Sequence, residues 1–104
     1  MLYLQMPQNR YSIARTLLLS GKIKTLSELL DIVGKTAFAR DSETTPERFN
    51  RLLRNLARVN LLDIANMARV LGTEETHIFN LFHAEYVKQR KQAELIKQRR
   101  LRKN

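Results

Sequence analysis

The chain has 104 residues, a formal net charge of +9, no cysteine, three glycines and two prolines. That length allows one domain, and the lack of thiols excludes a disulfide framework and a thiolate metal site. The positive balance favours an anionic partner (nucleic acid, an acidic protein or a membrane surface), while 43% hydrophobic residues suffice for one small core.

Leu2, Leu4 and Met6 alternate with polar residues until Pro7 interrupts them. A short strand or extended arm would show this pattern, but a frayed terminus is the favoured reading. No charged start leads into a long apolar region, so no secretory signal is expected. Arg10 to Ser20 reads as a first helix, with Ile13, Leu17, Ala14 and Leu18 on its inner side and Gly21 as its stop. Its apolar run, Thr16 to Leu19, is far too short to span a bilayer. A soluble, cytoplasmic, all-α protein is therefore expected.

Thr25-Leu26-Ser27-Glu28 is a capping box, a threonine cap with glutamate three residues on. Leu26, Leu29, Leu30 and Val33 form the stripe of the helix that follows, Ile32 broadens it, and Gly34 should end it. Thr36 is placed to cap a short helix through Phe38 and Ala39, and the N–H groups at its start suit a phosphate oxygen. Thr45, with Pro46 behind it, marks the next helix start. At 100° per residue, Phe49, Leu52, Leu53 and Leu56 fall on one side, and Glu47, Arg51, Arg54 and Arg58 on the other. Arg48, Asn50 and Asn55 lie on the flanks. Arginine and asparagine are the side chains that read guanine and adenine edges in the major groove. A plain helical hairpin with a solvated basic face would carry the same charges.

Ala57 to Val59 reads as a loop. Asn60 caps a helix whose buried side is Leu61, Ile64, Ala65, Ala68 and Leu71, with Asp63 in its first turn and Gly72 at its end. Thr73 caps the last helix, and Ile78, Leu81, Phe82 and Tyr86 close the core.

Lys35 to Asn55, together with the helix after it, resembles the phage-repressor-like (Xre-type) helix-turn-helix domains. Phe38, Ala39, Phe49 and Leu52 stand at the spacings of that motif, and Leu61 to Gly72 matches the family's following helix. The resemblance runs from about Thr25 to Phe82. The turn departs from the family, with Glu43 in place of glycine and Ser42 in place of an apolar residue. The resemblance implies a lambda-repressor-like bundle of about five helices and binding to double-stranded DNA by a bacterial or phage-type transcriptional regulator. On that basis Thr45, Glu47, Arg48, Asn50 and Arg51 would face base edges. Arg54 and Arg58 would lie closer to phosphate, and Lys35, Thr36 and Arg40 would set register on the backbone. It also implies a homodimer on a two-fold related site.

One domain with a tail is expected, residues 1–83 as the DNA-binding domain and 84–104 as a basic helical or disordered tail. The tail holds eight Lys/Arg against two Asp/Glu, a net +6, whereas residues 1–83 hold eleven against eight, a net +3. It reads as a solvated continuation of the last helix, as a basic arm touching phosphates, or as a helix pairing with a second subunit through Val87, Leu95 and Ile96. His77 and His83 fall on different sides of a helix and no cysteine joins them, so no metal site is expected. No phosphate loop and no nucleophile–base–acid constellation is apparent, so no enzyme, no cofactor and no small-molecule ligand is expected. Two rival functions remain open: a helical adaptor for an acidic protein, and a nonspecific RNA or DNA binder acting through the tail.

Overall fold

The computed structural model describes residues 6–103. Among them are six α-helices, a short 3-10 turn and no strand: α1 (Met6–Leu19), α2 (Leu26–Val33), α3 (Lys35–Asp41), α4 (Pro46–Arg54), the turn Leu56–Arg58, α5 (Leu61–Leu71) and α6 (Glu75–Lys103). The all-α expectation holds, with one helix more than the five expected. The extended reading of the N-terminus lies mostly outside the described residues. From Met6 onward the chain is already helical, and Pro7 sits in the first turn, where its missing N–H costs no helical bond.

The caps follow the local chemistry. Thr25 accepts a hydrogen bond from the Glu28 N–H (3.1 Å), and the Glu28 carboxylate accepts from the Thr25 N–H (3.0 Å), closing the capping box of α2. The Lys24 N–H also donates to this carboxylate (2.9 Å), and it first, then the Thr25 hydroxyl and N–H, hold the Glu28 carboxyl below its usual range. Asn60 and Asp63 make the same reciprocal pair at the start of α5. Gly72, left-handed at φ 80, ends that helix. Thr73 is drawn into this ending, its N–H reaching the Ala68 carbonyl at 3.0 Å. Its hydroxyl donates to the Glu74 carbonyl, so α6 starts at Glu75 and Thr73 does not cap it. Thr36 is no cap either. Gly34, at φ 83, ends α2 and α3 begins on the next residue, which places Thr36 within the first turn.

Two expected core positions are differently placed. Ile13 and Leu61 are exposed, at 51% and 80%. On α1 the inner side is Ala14, fully buried, with Tyr11, Leu17 and Leu18 partly covered. On α5, Met67 takes the inner role together with Ile64, Ala68 and Leu71. Ala65 and Leu53 are half-buried. The segment expected as a loop after α4 tightens into the 3-10 turn, which buries Leu56 and carries Arg58 outward.

The core runs through all six helices. α5 touches α1, α3 and α6, and α3 packs on both α2 and α4. The rings of Phe38 on α3 and Phe49 on α4 meet edge to face at 6.2 Å, and Tyr11 of α1 approaches Phe38 at the same distance. The Tyr11 hydroxyl donates to the Asp41 carboxylate, linking α1 to the end of α3. Burial first, and that bond second, push the Tyr11 phenol well above its ordinary value. Ala39 is fully buried where α3 and α4 pack together. α6 does not break at residue 83 but continues to Lys103 as one 29-residue helix.

Candidate functional site

The turn between α3 and α4 sets the pose of α4. The Thr44 N–H reaches back to the Ala39 carbonyl and the Glu43 N–H to the Arg40 carbonyl, both at 3.0 Å, the two bonds of a Schellman ending. That ending requires a left-handed residue, and Glu43 occupies the position at φ 63. A non-glycine side chain there costs about 1 kcal/mol. Its carboxylate lies 3.3 Å from the Arg69 guanidinium on the surface. Ser42 beside it is buried, and its hydroxyl has no hydrogen-bond partner.

Thr45 follows in an extended conformation and accepts the Arg48 N–H at 3.1 Å, with Pro46 next in the first helical position. This fixes the rotation of α4. Phe49 and Leu52 turn into the core, whereas Glu47, Arg51 and Arg54 point to solvent. Asn50 is half-buried. Behind them an open groove of about 630 Å³ is lined by Arg48, Arg51, Leu52, Arg54, Asn55 and Arg58. Arg58, exposed at the end of the 3-10 turn, lines the same groove as Arg51 and Arg54.

Arg48 is the exception among the residues expected at base edges. Its guanidinium faces Asp63 of α5 in a two-pronged contact, 2.8 Å to Oδ1 and 3.1 Å to Oδ2, and also donates to the Thr44 hydroxyl at 3.2 Å. Burial pushes the Asp63 carboxyl up, but the Arg48 guanidinium and the Asn60 N–H outweigh it and hold it below the usual carboxylate range. Arg48 thus fastens α4 to α5, with its side chain still 36% exposed at the edge of the groove. Lys35, Thr36 and Arg40 are exposed on α3, outside the arginine groove.

Among the described residues the ion pairs are Arg48–Asp63 and Arg69–Glu43. Arg51, Arg54 and Arg58 therefore stand on one surface without a carboxylate partner. Three guanidinium groups lining one groove offer N–H donors to an anion.

No family model, curated protein or solved structure matches this chain.

Two contacts that tie α4 to its neighbours are not legible in the sequence. Asp63 is legible as a cap, but its second partner lies fifteen residues away on another helix. Gln89 of α6 donates its side-chain amide to the Leu53 carbonyl at 2.9 Å, satisfying an acceptor in the last turn of α4. Nothing near Gln89 in sequence marks it out. On another side, a pocket of about 270 Å³ opens between the start of α5 and α6, with Leu61, Ile64, Phe79, Phe82, His83 and Tyr86 among its walls. The His83 ring stacks on Phe79 at 5.5 Å, and His77, half-buried, lies on a different side of the helix. No helix among the described residues is long and apolar enough to cross a membrane.

Proposed function

We propose that this chain binds double-stranded DNA in a sequence-specific manner, with α3 and α4 acting as a helix-turn-helix and α4 entering the major groove. The observation that carries the reading is the division of α4: Phe49 and Leu52 anchor it to the core while Arg51, Arg54 and Arg58 form an outward cationic face with no carboxylate partner among the described residues. The Schellman turn at Glu43 supports the same reading, because it holds a short helix firmly against a bracing one. An α-helix fits the major groove, and arginine is the commonest reader of guanine there.

Under this reading Arg51 approaches base edges from the middle of the helix, with Thr45, Glu47 and Asn50 beside it. Arg54 and Arg58 approach phosphate, and Lys35, Thr36 and Arg40 contact the backbone from α3. Arg48 takes a different part from the others. Held by Asp63, it keeps α4 at a fixed angle to the body. One helix offers little surface for a tight site, so a homodimer on two related half-sites completes the scheme. A small bacterial or phage-type transcriptional regulator, similar to the phage-repressor-like domains, is the role that fits.

The test is selection from a randomised duplex pool at physiological salt, for the full chain and for Arg51→Ala. The expected result is an enriched motif whose preference relaxes at one or two positions in Arg51→Ala, a loss of about 1–3 kcal/mol of discrimination. Binding without enrichment, falling smoothly as salt rises, would leave generic charge attraction only and turn attention to an acidic protein partner.

A further inference from the structure

The second half of α6 has no explanation in packing. Every side chain from Lys91 to Arg102 is exposed. A helix that lies on a body shows one apolar stripe. Here Arg90, Lys91, Arg99 and Arg100 point in four different directions at 100° per residue. Like charges also stand three residues apart, Lys97 with Arg100 and Arg99 with Arg102, and repel each other. From residue 84 on, eight lysines and arginines face two glutamates. Positive charge on every side of an exposed helix is complementary to a polyanion.

Its position narrows the choice. Gln89 is tied to the Leu53 carbonyl in the last turn of α4. α6 also touches the 3-10 turn that carries Arg58. The basic stretch therefore leaves the body next to the arginine groove. Beyond Gln89 the helix continues for about 21 Å, a length over which duplex DNA presents about twelve phosphates. The molecule measures 65 × 29 × 22 Å, so this stretch projects from a much smaller body.

We infer that the basic half of α6 is a second, sequence-blind contact to duplex nucleic acid, a stiff arm that tracks the phosphates flanking the stretch under α4. The inference rests on the DNA reading of α4 for its location. The two contacts divide the work: α4 discriminates and the arm adds affinity.

Binding to a mixed-sequence duplex of about 30 base pairs, followed by fluorescence anisotropy across a KCl series, separates them. The chains compared are the full protein, a fourfold variant (Lys97→Gln, Arg99→Gln, Arg100→Gln, Arg102→Gln), Ala93→Pro and Arg51→Ala. All changed positions except Arg51 lie on the exposed arm, and far-UV circular dichroism checks that the body is intact. The fourfold variant is expected to lower the slope of log affinity against log salt by about 3 to 4. Ala93→Pro kinks the arm without changing its charge and is expected to lose part of the same slope. A fourfold variant whose slope stays within about 1 of the parent overturns the inference, as does an Ala93→Pro chain indistinguishable from it. The same four charges governing retention on phosphatidylserine vesicles, with the duplex slope unchanged, would reassign the arm to a lipid surface. Failure of the α4 reading looks different: selection from the randomised duplex pool enriches no motif for any of the four proteins, Arg51→Ala changes the salt slope little, and the arm's increment of slope persists.

Discussion

Asp63 serves two elements at once, capping α5 and anchoring Arg48 of α4. Asp63→Asn keeps an oxygen for the cap but leaves the Arg48 guanidinium without its counter-charge. About 2 kcal/mol of stability should be lost, measured by urea unfolding at neutral pH. The pH dependence follows from the depressed carboxyl. Its contribution is complete above the unfolded-state value near pH 4 and disappears as pH falls through the lower folded value. The acid limb of the stability curve should therefore flatten in Asp63→Asn, and an unchanged limb would show that other carboxylates set it. Glu43 and Ser42 make the opposite kind of test. Glu43→Gly relieves the left-handed backbone at φ 63, and Ser42→Ala removes a buried hydroxyl with no partner. Each substitution should raise stability by about 0.5–1 kcal/mol, seen as a rise in Tm. The departure of these two residues from the resembled family was legible in the sequence, because a glycine position filled by glutamate is visible at once. The role of Arg48 was not. At the edge of the amphipathic pattern an arginine reads as solvent-facing until a partner from a distant helix fixes it.

At the level of the helices, signals confined to four or five residues carried through. Thr25, Thr45 and Asn60 cap where their own and their neighbours' chemistry placed them, and Gly34 and Gly72 end their helices. The inner face of α4 was also plain, since Phe49 and Leu52 recur at helical spacing. The inner faces of α1 and α5 were less so. Both helices carry more apolar residues than one face holds, and only their neighbours decide that Ala14 and Met67 go in while Ile13 and Leu61 stay out. The Gln89 bond to the Leu53 carbonyl is another feature of this scale. Gln89→Ala should cost about 1 kcal/mol and speed amide exchange in the last turn of α4, while exchange in α2 stays as it was. Equal exchange in both proteins would mean that the carbonyl is satisfied without α6.

For the whole molecule, stability and charge are carried by different regions. The core ends on α6 with Phe82 and the partly covered Tyr86, yet most of the excess positive charge lies beyond it. A chain ending after Arg90 should unfold within about 0.5 kcal/mol of the full protein, because every side chain from Lys91 to Arg102 is exposed. A drop of several kcal/mol would reveal packing by the arm. The helical continuation of α6 was harder to read than its charge. Val87, Leu95, Ile96 and Leu101 sit among lysine, arginine and glutamine without a stripe, so only helix propensity favoured continuation.

The projecting α6 also governs how the protein behaves in transport experiments. A compact chain of this length has a radius of gyration of about 13 Å. This one has 15.9 Å and is more than twice as long as it is wide. An elongated monomer meets more friction than a sphere of equal mass and leaves a sizing column early, at the position of a heavier globule. Its elution volume alone would thus imitate a dimer. Light scattering or sedimentation equilibrium, which weigh particles irrespective of their outline, are the measurements that count its subunits.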